Sequence, residues 1–193
     1  RRFAAAGYNA IAPNLYSRDG SPDPGNFPEV FRVMFGKPDA ETVADLDAAV
    51  GYLRGLDNSN GKVGVIGFCS GGRQALLFAC SSSGVDAAID CWGGFVDRAT
   101  PDADTTENRP TPVRDLVANV SCPILLAGGA DDQNPSPAVL EDLAARLRGE
   151  SKDVTLKIWD GVGHAFLADY RPSYSEPEAH ELWADIGAFL ATH

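Results

Sequence analysis

The sequence predicts an α/β fold with a mostly parallel sheet and helices on both of its faces. Short, continuous apolar runs alternate along the chain with longer segments of helical periodicity, and such alternation requires crossover connections between parallel strands. The runs contain few polar positions, as expected of strands that helices cover on both sides. A chain of 193 residues suits one domain with a sizeable core, so we expect a single domain over 1–193.

Five apolar runs are predicted as strands. Each is four to eight residues of mainly aliphatic side chains bounded by turn-forming residues. In chain order they span 8–12, 62–68, 86–92, 122–129 and 153–159. Because ligands bind at the carboxyl ends of parallel strands, the residues that follow each run are the candidates for a functional site.

Five segments are predicted as helices. The opening "RRFAAAGY" has the pattern of the last turns of a helix that Gly7 closes. Apolar residues at helical spacing predict a second helix over 38–56, and a third follows the glycine pair at 71–72. A fourth begins at Pro137, which Ser136 precedes as a cap, and the closing helix begins near Pro177.

Two polar segments are predicted as loops. Residues 17–28 read "SRDGSPDPGNFP" and are rich in glycine, proline and aspartate. Residues 97–113 contain three prolines and are predicted to form a long surface excursion.

Charge and composition exclude several classes of protein. The chain has 16 Lys and Arg against 27 Asp and Glu, a net charge of -11, and no basic run, so we expect no binding to nucleic acid or an anionic membrane. No apolar stretch approaches the roughly 20 residues of a transmembrane helix, and no signal-peptide pattern is present. The four cysteines form no CxxC pair and no zinc-type cluster, which favours a reduced, cytoplasmic protein without a metal.

The second strand runs into a turn that resembles the nucleophile elbow of serine hydrolases, with a cysteine at its centre. Gly67 to Gly71 read G-F-C-S-G and fit G-x-C-x-G. Such a turn projects Cys69 at a helix N-terminus, which favours a thiolate, and aims the Ser70 N–H at a forming oxyanion. Alone, the motif is equally compatible with a buried thiol in a tight turn. Ser70 itself is a poorer nucleophile candidate because Phe68 stands where its frame needs glycine.

An acid and a histidine follow two later strands. "GGADDQNP" offers Asp131 and Asp132 after the fourth strand, and "DGVGHAF" presents His164 after the fifth. The other histidines, His180 on the closing helix and His193 at its end, are expected to be solvated. Nucleophile, acid and base therefore occur in the chain order of α/β-hydrolases, each after a strand. In this arrangement His164 acts as general base and acid, and the carboxylate orients it.

At this point the sequence resembles the dienelactone hydrolase family of α/β-hydrolases. The resembling segments are "RRFAAAGYNAIAPNLYSR", "DLDAAVGYLRG", "NGKVGVIGFCSGGR", "LLAGGADDQNP" and "GVGHAFL". The resemblance implies a triad of Cys69, His164 and Asp131, since the family acid follows G-G-x directly. It also implies hydrolysis of a small ester or lactone through an acyl-thioester, with no metal or organic cofactor, by a monomer or small homo-oligomer.

The chain departs from the family pattern in three places. Members carry an earlier segment with the first strands, a second oxyanion donor and a glutamate, so we expect an N-terminally incomplete sheet. The family arginine that binds a substrate carboxylate has no counterpart at Leu167 or Ala168, and Arg171 comes later. The excursion at 97–113 is longer than in compact members. A non-hydrolysing binding or reactive-thiol protein is therefore the alternative function, and a fragment with an uncovered sheet edge is a third possibility.

Four further residues are candidates for substrate binding. Trp92 ends the third strand and is predicted either to line an aromatic wall or to lie in the core. Phe68 and Phe166 flank the catalytic candidates and fit either pocket or packing. Arg32 suits an anionic substrate group, although a solvated arginine explains it equally well.

Overall fold

The computed structural model describes residues 1–20 and 22–193 and contains one four-stranded parallel sheet. Neighbouring strands pair in the simple order β1-β2-β3-β4, and every pair is parallel. The strands are β1 (Gly64–Phe68), β2 (Ala87–Cys91), β3 (Ile124–Gly129) and β4 (Val154–Trp159). These are the second to fifth predicted strands, so those four predictions and the predicted fold class are confirmed.

Helices connect the strands and cover the sheet. They are α1 (Arg2–Ala5), α2 (Phe27–Gly36), α3 (Asp39–Arg54), α4 (Ser70–Ser81), α5 (Pro137–Gly149) and α6 (Glu176–Thr192), with a 3₁₀ helix at Val113–Asn119. All five predicted helices are present. Within the two described ranges, none of the helices combines the length and apolar character needed to cross a membrane.

Two apolar cores lie on opposite faces of the sheet, because side chains alternate between the faces of a strand. Ala88 and Leu126 point towards α3, α4, α5 and the 3₁₀ helix, whereas Ile89 and Leu125 point towards α1 and α6. Every residue of β2 and β3 is buried. These two strands therefore form the rigid centre from which the loops at the carboxyl edge project.

The first predicted strand, 8–12, is wrong. In the structure this segment has no strand hydrogen bonds, and Tyr8 and Ile11 are exposed. A groove of about 390 Å³ separates it from Val63 to Ile66 at the β1 edge. An apolar run becomes a strand only when a neighbour completes its hydrogen bonds, and among the described residues no strand pairs with 8–12.

Helix α2 was not predicted, and its start overlaps the predicted loop at 17–28. The Asn26 side chain accepts the Glu29 N–H at 3.4 Å as an N-cap, and Pro28 occupies the first turn. These are helix-start signals, but they lie within a stretch dense in glycine, proline and aspartate. Ser21, which belongs to the predicted loop, lies outside the described residues.

The excursion at 97–113 is anchored to the end of α2 instead of lying free on the surface. The Arg109 guanidinium is buried and donates to the carbonyl oxygens of Ala99, at 3.0 Å, and Met34. The Asn108 amide donates to the Gly36 carbonyl at 2.6 Å. The bonds to Met34 and Gly36 satisfy carbonyl groups at the C-terminal end of α2, which an α-helix leaves without internal partners.

Candidate active site

The turn after β1 has the geometry of a nucleophile elbow. Cys69 has φ 56° and ψ -124° and directly precedes α4, a conformation that non-glycine residues adopt only under constraint. A Cβ on Gly67 would lie 1.8 Å from the carbonyl oxygen of Gly71. Glycine at 67 is therefore required for the strand and the helix to approach this closely, as the sequence motif predicts.

The Cys69 thiol is exposed at the carboxyl edge of the sheet, and its pKa lies below the ordinary value of 9.0. Partial burial raises that pKa, but hydrogen bonding with His164 and its positive charge lower it by more, aided by the Ser70 N–H and the Arg171 charge. The other three thiols are buried, and burial raises the pKa of Cys80 to about 12 and that of Cys122 to about 11. Among the four cysteines, the thiolate thus forms most readily at Cys69.

His164 lies in the loop after β4, between a carboxylate and this thiol. Its Nδ1 is 2.8 Å from Oδ2 of Asp132. Because an ionised carboxylate only accepts hydrogen bonds, Nδ1 carries the proton. The hydrogen bonds with Asp132 and then Cys69 raise the pKa of His164 to about 9, against the lowering effect of burial.

The acid that contacts His164 is Asp132 and not Asp131, which the resemblance implied. The Asp132 N–H bonds back to the Gly129 carbonyl at 3.2 Å, which closes a tight turn after β3. This turn directs the Asp131 side chain into solvent and returns Asp132 to the sheet edge, where it is buried. The Asn134 N–H holds the second oxygen of Asp132 at 2.9 Å.

Ser70 is the first residue of α4. Its backbone N–H lies next to the Cys69 sulfur and helps to lower the thiol pKa. The same N–H belongs to the exposed N-terminus of the helix, where it favours negative charge. It is therefore placed to stabilise charge next to the sulfur, as expected for an oxyanion donor.

Three aromatic side chains form a wall beside the imidazole. The Trp92 ring centroid lies 6.3 Å from that of His164, 5.6 Å from Phe68 and 5.1 Å from Phe166. Phe68 is partly exposed, whereas Trp92 and Phe166 are buried. Phe68 thus faces the opening, Trp92 supports the site, and Phe166 packs in the core against Trp159.

Of the two arginines considered from sequence, the structure brings Arg171 near the thiol. Its positive charge contributes to the lowered pKa of Cys69, and its guanidinium lies 5.9 Å from the ring centroid of Tyr170. Arg32 instead binds Glu29 at 2.6 Å on the exposed face of α2, which is the solvated alternative. The sequence did not indicate that Arg171 lies near the thiol, because the loop between His164 and Arg171 folds back on itself.

The site brings together a thiol, an imidazole and a carboxylate. In the described part of the chain, no group of three or more His, Cys, Asp or Glu side chains is arranged to hold a metal ion. The chemistry available from these residues is nucleophilic attack by a thiolate with an oriented imidazole as acid and base.

Comparison with known proteins identifies the family of this chain. The family model described as "Dienelactone hydrolase family" matches residues 1–193. The chain belongs to the dienelactone hydrolase family. Members of this family are hydrolases, and the resemblance inferred from the sequence is confirmed.

Two relatives of the dienelactone hydrolase family illustrate the extent of the match. A protein assigned as a carboxymethylenebutenolidase in Salmonella typhimurium is 34% identical over 100% of this chain and 70% of its own length. One with the same assignment in Methylorubrum extorquens is 33% identical over 95% of this chain and 62% of its own length. The chain thus spans about two thirds of these relatives.

A solved structure shows the same fold. The protein assigned as a dienelactone hydrolase in Klebsiella pneumoniae superposes with a TM-score of 0.85 at 31% identity, covering 100% of this chain and 79% of that one. The four-stranded sheet described above is therefore the counterpart of part of a dienelactone hydrolase fold.

Proposed function

We propose that this protein hydrolyses a small carboxylic ester or lactone with Cys69 as nucleophile, His164 as base and acid, and Asp132 as the orienting carboxylate. The observation that carries the proposal is the position of His164, whose Nδ1 lies 2.8 Å from Asp132 and whose pKa and that of Cys69 each shift because of the other group. The same contacts lower the pKa of Cys69 and raise that of His164 to about 9. These two shifts both favour the thiolate–imidazolium pair over the neutral thiol and imidazole.

The acylation step begins from this ion pair. The sulfur attacks the carbonyl carbon, a C–S bond forms, and the carbonyl electron pair moves to oxygen, where the Ser70 N–H donates to it. When the oxyanion collapses, the C–O bond to the leaving group breaks, and Nε2 of His164 protonates the departing oxygen. For a lactone, the leaving alcohol stays attached to the acyl group.

Deacylation restores the enzyme. Neutral His164 removes a proton from water, the hydroxide adds to the thioester carbon, and the C–S bond breaks to release the acid and the Cys69 thiolate. Asp132 holds the imidazole in one tautomer and stabilises its cation in both steps.

The surroundings of Cys69 favour a small substrate that carries a carboxylate. Arg171 supplies a positive charge near the sulfur, and Phe68 and Trp92 offer an aromatic surface on one side. The relatives named as carboxymethylenebutenolidases support a lactone among the candidate substrates.

The test measures whether hydrolysis of an ester or lactone requires Cys69 and His164. The protein is mixed with an activated aryl ester and with an unsaturated lactone, and the wild type is compared with Cys69→Ala, His164→Ala and the buried-thiol control Cys80→Ala. We expect turnover in the wild type and in Cys80→Ala, and none above background in the other two. Unchanged turnover in Cys69→Ala contradicts the proposal.

A second measurement distinguishes hydrolysis from the alternative function, a binding or reactive-thiol protein. Mass spectrometry of the protein during the reaction reports whether an acyl group accumulates on Cys69. Transient acylation followed by release supports hydrolysis. Permanent acylation without turnover favours a binding or reactive-thiol protein instead.

A further inference from the structure

Asp90 is a buried carboxyl group that the proposed mechanism does not use. It lies in β2, two residues before Trp92, and is 1% exposed. In the sheet it is paired with Gly67, the first glycine of the elbow. One of its oxygens, Oδ2, is buried and has no hydrogen-bond partner among the described residues, which is unusual for a buried polar atom.

The other oxygen of Asp90 holds the turn that follows β2. Oδ1 accepts the Gly93 N–H at 2.7 Å. A Cβ placed on Gly93 would lie 2.4 Å from the same oxygen, and one placed on Gly72 of α4 would lie 2.2 Å from it. The carboxyl group therefore fills the space between the Trp92 turn and the first turn of α4, and both glycines are needed to admit it.

This carboxyl group lies beside two strained residues of the site. Trp92 has φ 46° and Cys69 has φ 56°, and such conformations persist only where the surroundings fix them. The Cys69 N–H donates to the Cys91 carbonyl at 3.0 Å, and the Trp92 N–H donates to the Ala127 carbonyl at 2.7 Å. The backbone of the nucleophile is thus bonded directly to the segment that Asp90 holds.

We propose that Asp90 is a positioning residue that fixes the Trp92 turn and, through the Cys91 carbonyl, the backbone of Cys69. The inference rests on the proposed function only in taking Cys69 as the nucleophile. It assigns Asp90 no contact with substrate.

The hydrogen-bond acceptor of Asp90, not its charge, performs this task. Among the described residues no cation contacts the group; its neighbours are the Gly93 N–H, Gly72 of α4 and the Cys91 thiol. Burial raises the pKa of Asp90 to about 7, so that a neutral carboxyl is accessible at ordinary pH. Asparagine keeps the acceptor oxygen and the shape of the side chain. It should therefore perform the positioning role of Asp90.

The experiment measures how readily Cys69 reacts, independently of hydrolysis. Asp90→Asn, Asp90→Ala and Asp90→Ser are compared with the wild type for the rate of alkylation of the native protein by iodoacetamide as a function of pH. The other thiols are buried, so alkylation reports on Cys69. Leu147→Ala, a buried position on α5, controls for loss of stability alone. Thermal unfolding shows which variants are folded at the assay temperature.

We expect the alkylation profile of Asp90→Asn and Leu147→Ala to match the wild type. In the two variants with a shortened side chain, Asp90→Ala and Asp90→Ser (the truncations), we expect the alkylation profile to move to higher pH. The thiolate fraction at neutral pH then falls about tenfold for each unit of rise in the thiol pKa. Ester turnover should fall about tenfold to a hundredfold in kcat, as for a misplaced catalytic group, with little change in KM.

Three outcomes overturn the proposal. The first is a folded Asp90→Ala variant with the wild-type alkylation profile. The second is an Asp90→Asn variant as impaired as the truncations, which would assign the role to charge. The third is loss of folding in both truncations, which would make Asp90 a residue for stability alone. Absence of ester turnover in the wild type, with these profiles as expected, contradicts the proposed function and leaves the positioning role supported.

Discussion

Nδ1 of His164 lies 2.8 Å from Oδ2 of Asp132, while the neighbouring Asp131 points into solvent. The two acids are adjacent in sequence, and only the tight turn after β3 separates their roles. One buried carboxylate thus orients the imidazole, and its neighbour provides a matched control for every test of that role.

Asp132→Asn should lower kcat for an activated ester by about a hundredfold to ten-thousandfold, because the amide no longer holds the required tautomer or stabilises the imidazolium. Asp131→Asn removes the same charge from an exposed side chain and should leave kcat within about threefold. Steady-state kinetics of the two variants measure the difference. Equal losses in both would show that net charge, not orientation, matters.

The reactivity of Cys69 should depend on His164. Because the pKa of Cys69 is lowered, its thiolate is present above that lowered pKa and is lost as pH falls through it. In His164→Gln the main lowering influence disappears, so the alkylation rate should rise only at higher pH, towards the ordinary value of 9.0. The rate of iodoacetamide modification against pH reports this shift. His180→Gln, on the exposed side of α6, is the control and should not change the profile.

Arg171→Ala should weaken the binding of anionic substrates. Its charge acts near Cys69, and an exposed charge contact of this kind contributes up to about 1 kcal/mol. We expect KM for an ester bearing a carboxylate to rise about threefold to fivefold, with little change for its neutral methyl ester. A loss of equal size for both substrates would exclude carboxylate recognition. Arg32→Ala, which removes a solvated arginine from α2, should affect neither.

Asp39→Ala should strongly destabilise the fold. The Asp39 carboxylate receives two hydrogen bonds from the buried Arg73 guanidinium, at 2.7 and 3.0 Å. Removing it leaves a buried positive charge uncompensated, which costs about 3–5 kcal/mol. Asp142→Ala breaks an exposed pair with Arg146 and should cost at most about 0.5 kcal/mol. Urea unfolding measures both changes; similar values for the two variants would contradict the prediction.

Strands β2 and β3 could be read from the sequence because they are buried along their whole length and therefore consist of continuous apolar runs. Strands β1 and β4 are partly exposed and were recognised from apolar residues between turn signals. The segment 8–12 has the same composition, yet it is exposed and unpaired in the described structure. A strand needs a neighbour for its backbone groups, and composition does not state where that neighbour lies. Helix α2 escaped prediction for a related reason, since its cap at Asn26 is embedded among loop-forming residues.

The sequence by itself determined the parallel α/β architecture, the elbow around Cys69 and the position of His164 after a later strand. These features depend on local patterns: apolar periodicity, small residues beside a strained turn, and the order of groups along the chain. Only the tertiary structure decided which acid meets His164, where Arg171 lies, and that Asp90 joins the Trp92 turn to the elbow. Each of these depends on distances between segments remote in sequence, which the turns and packing of the folded chain set.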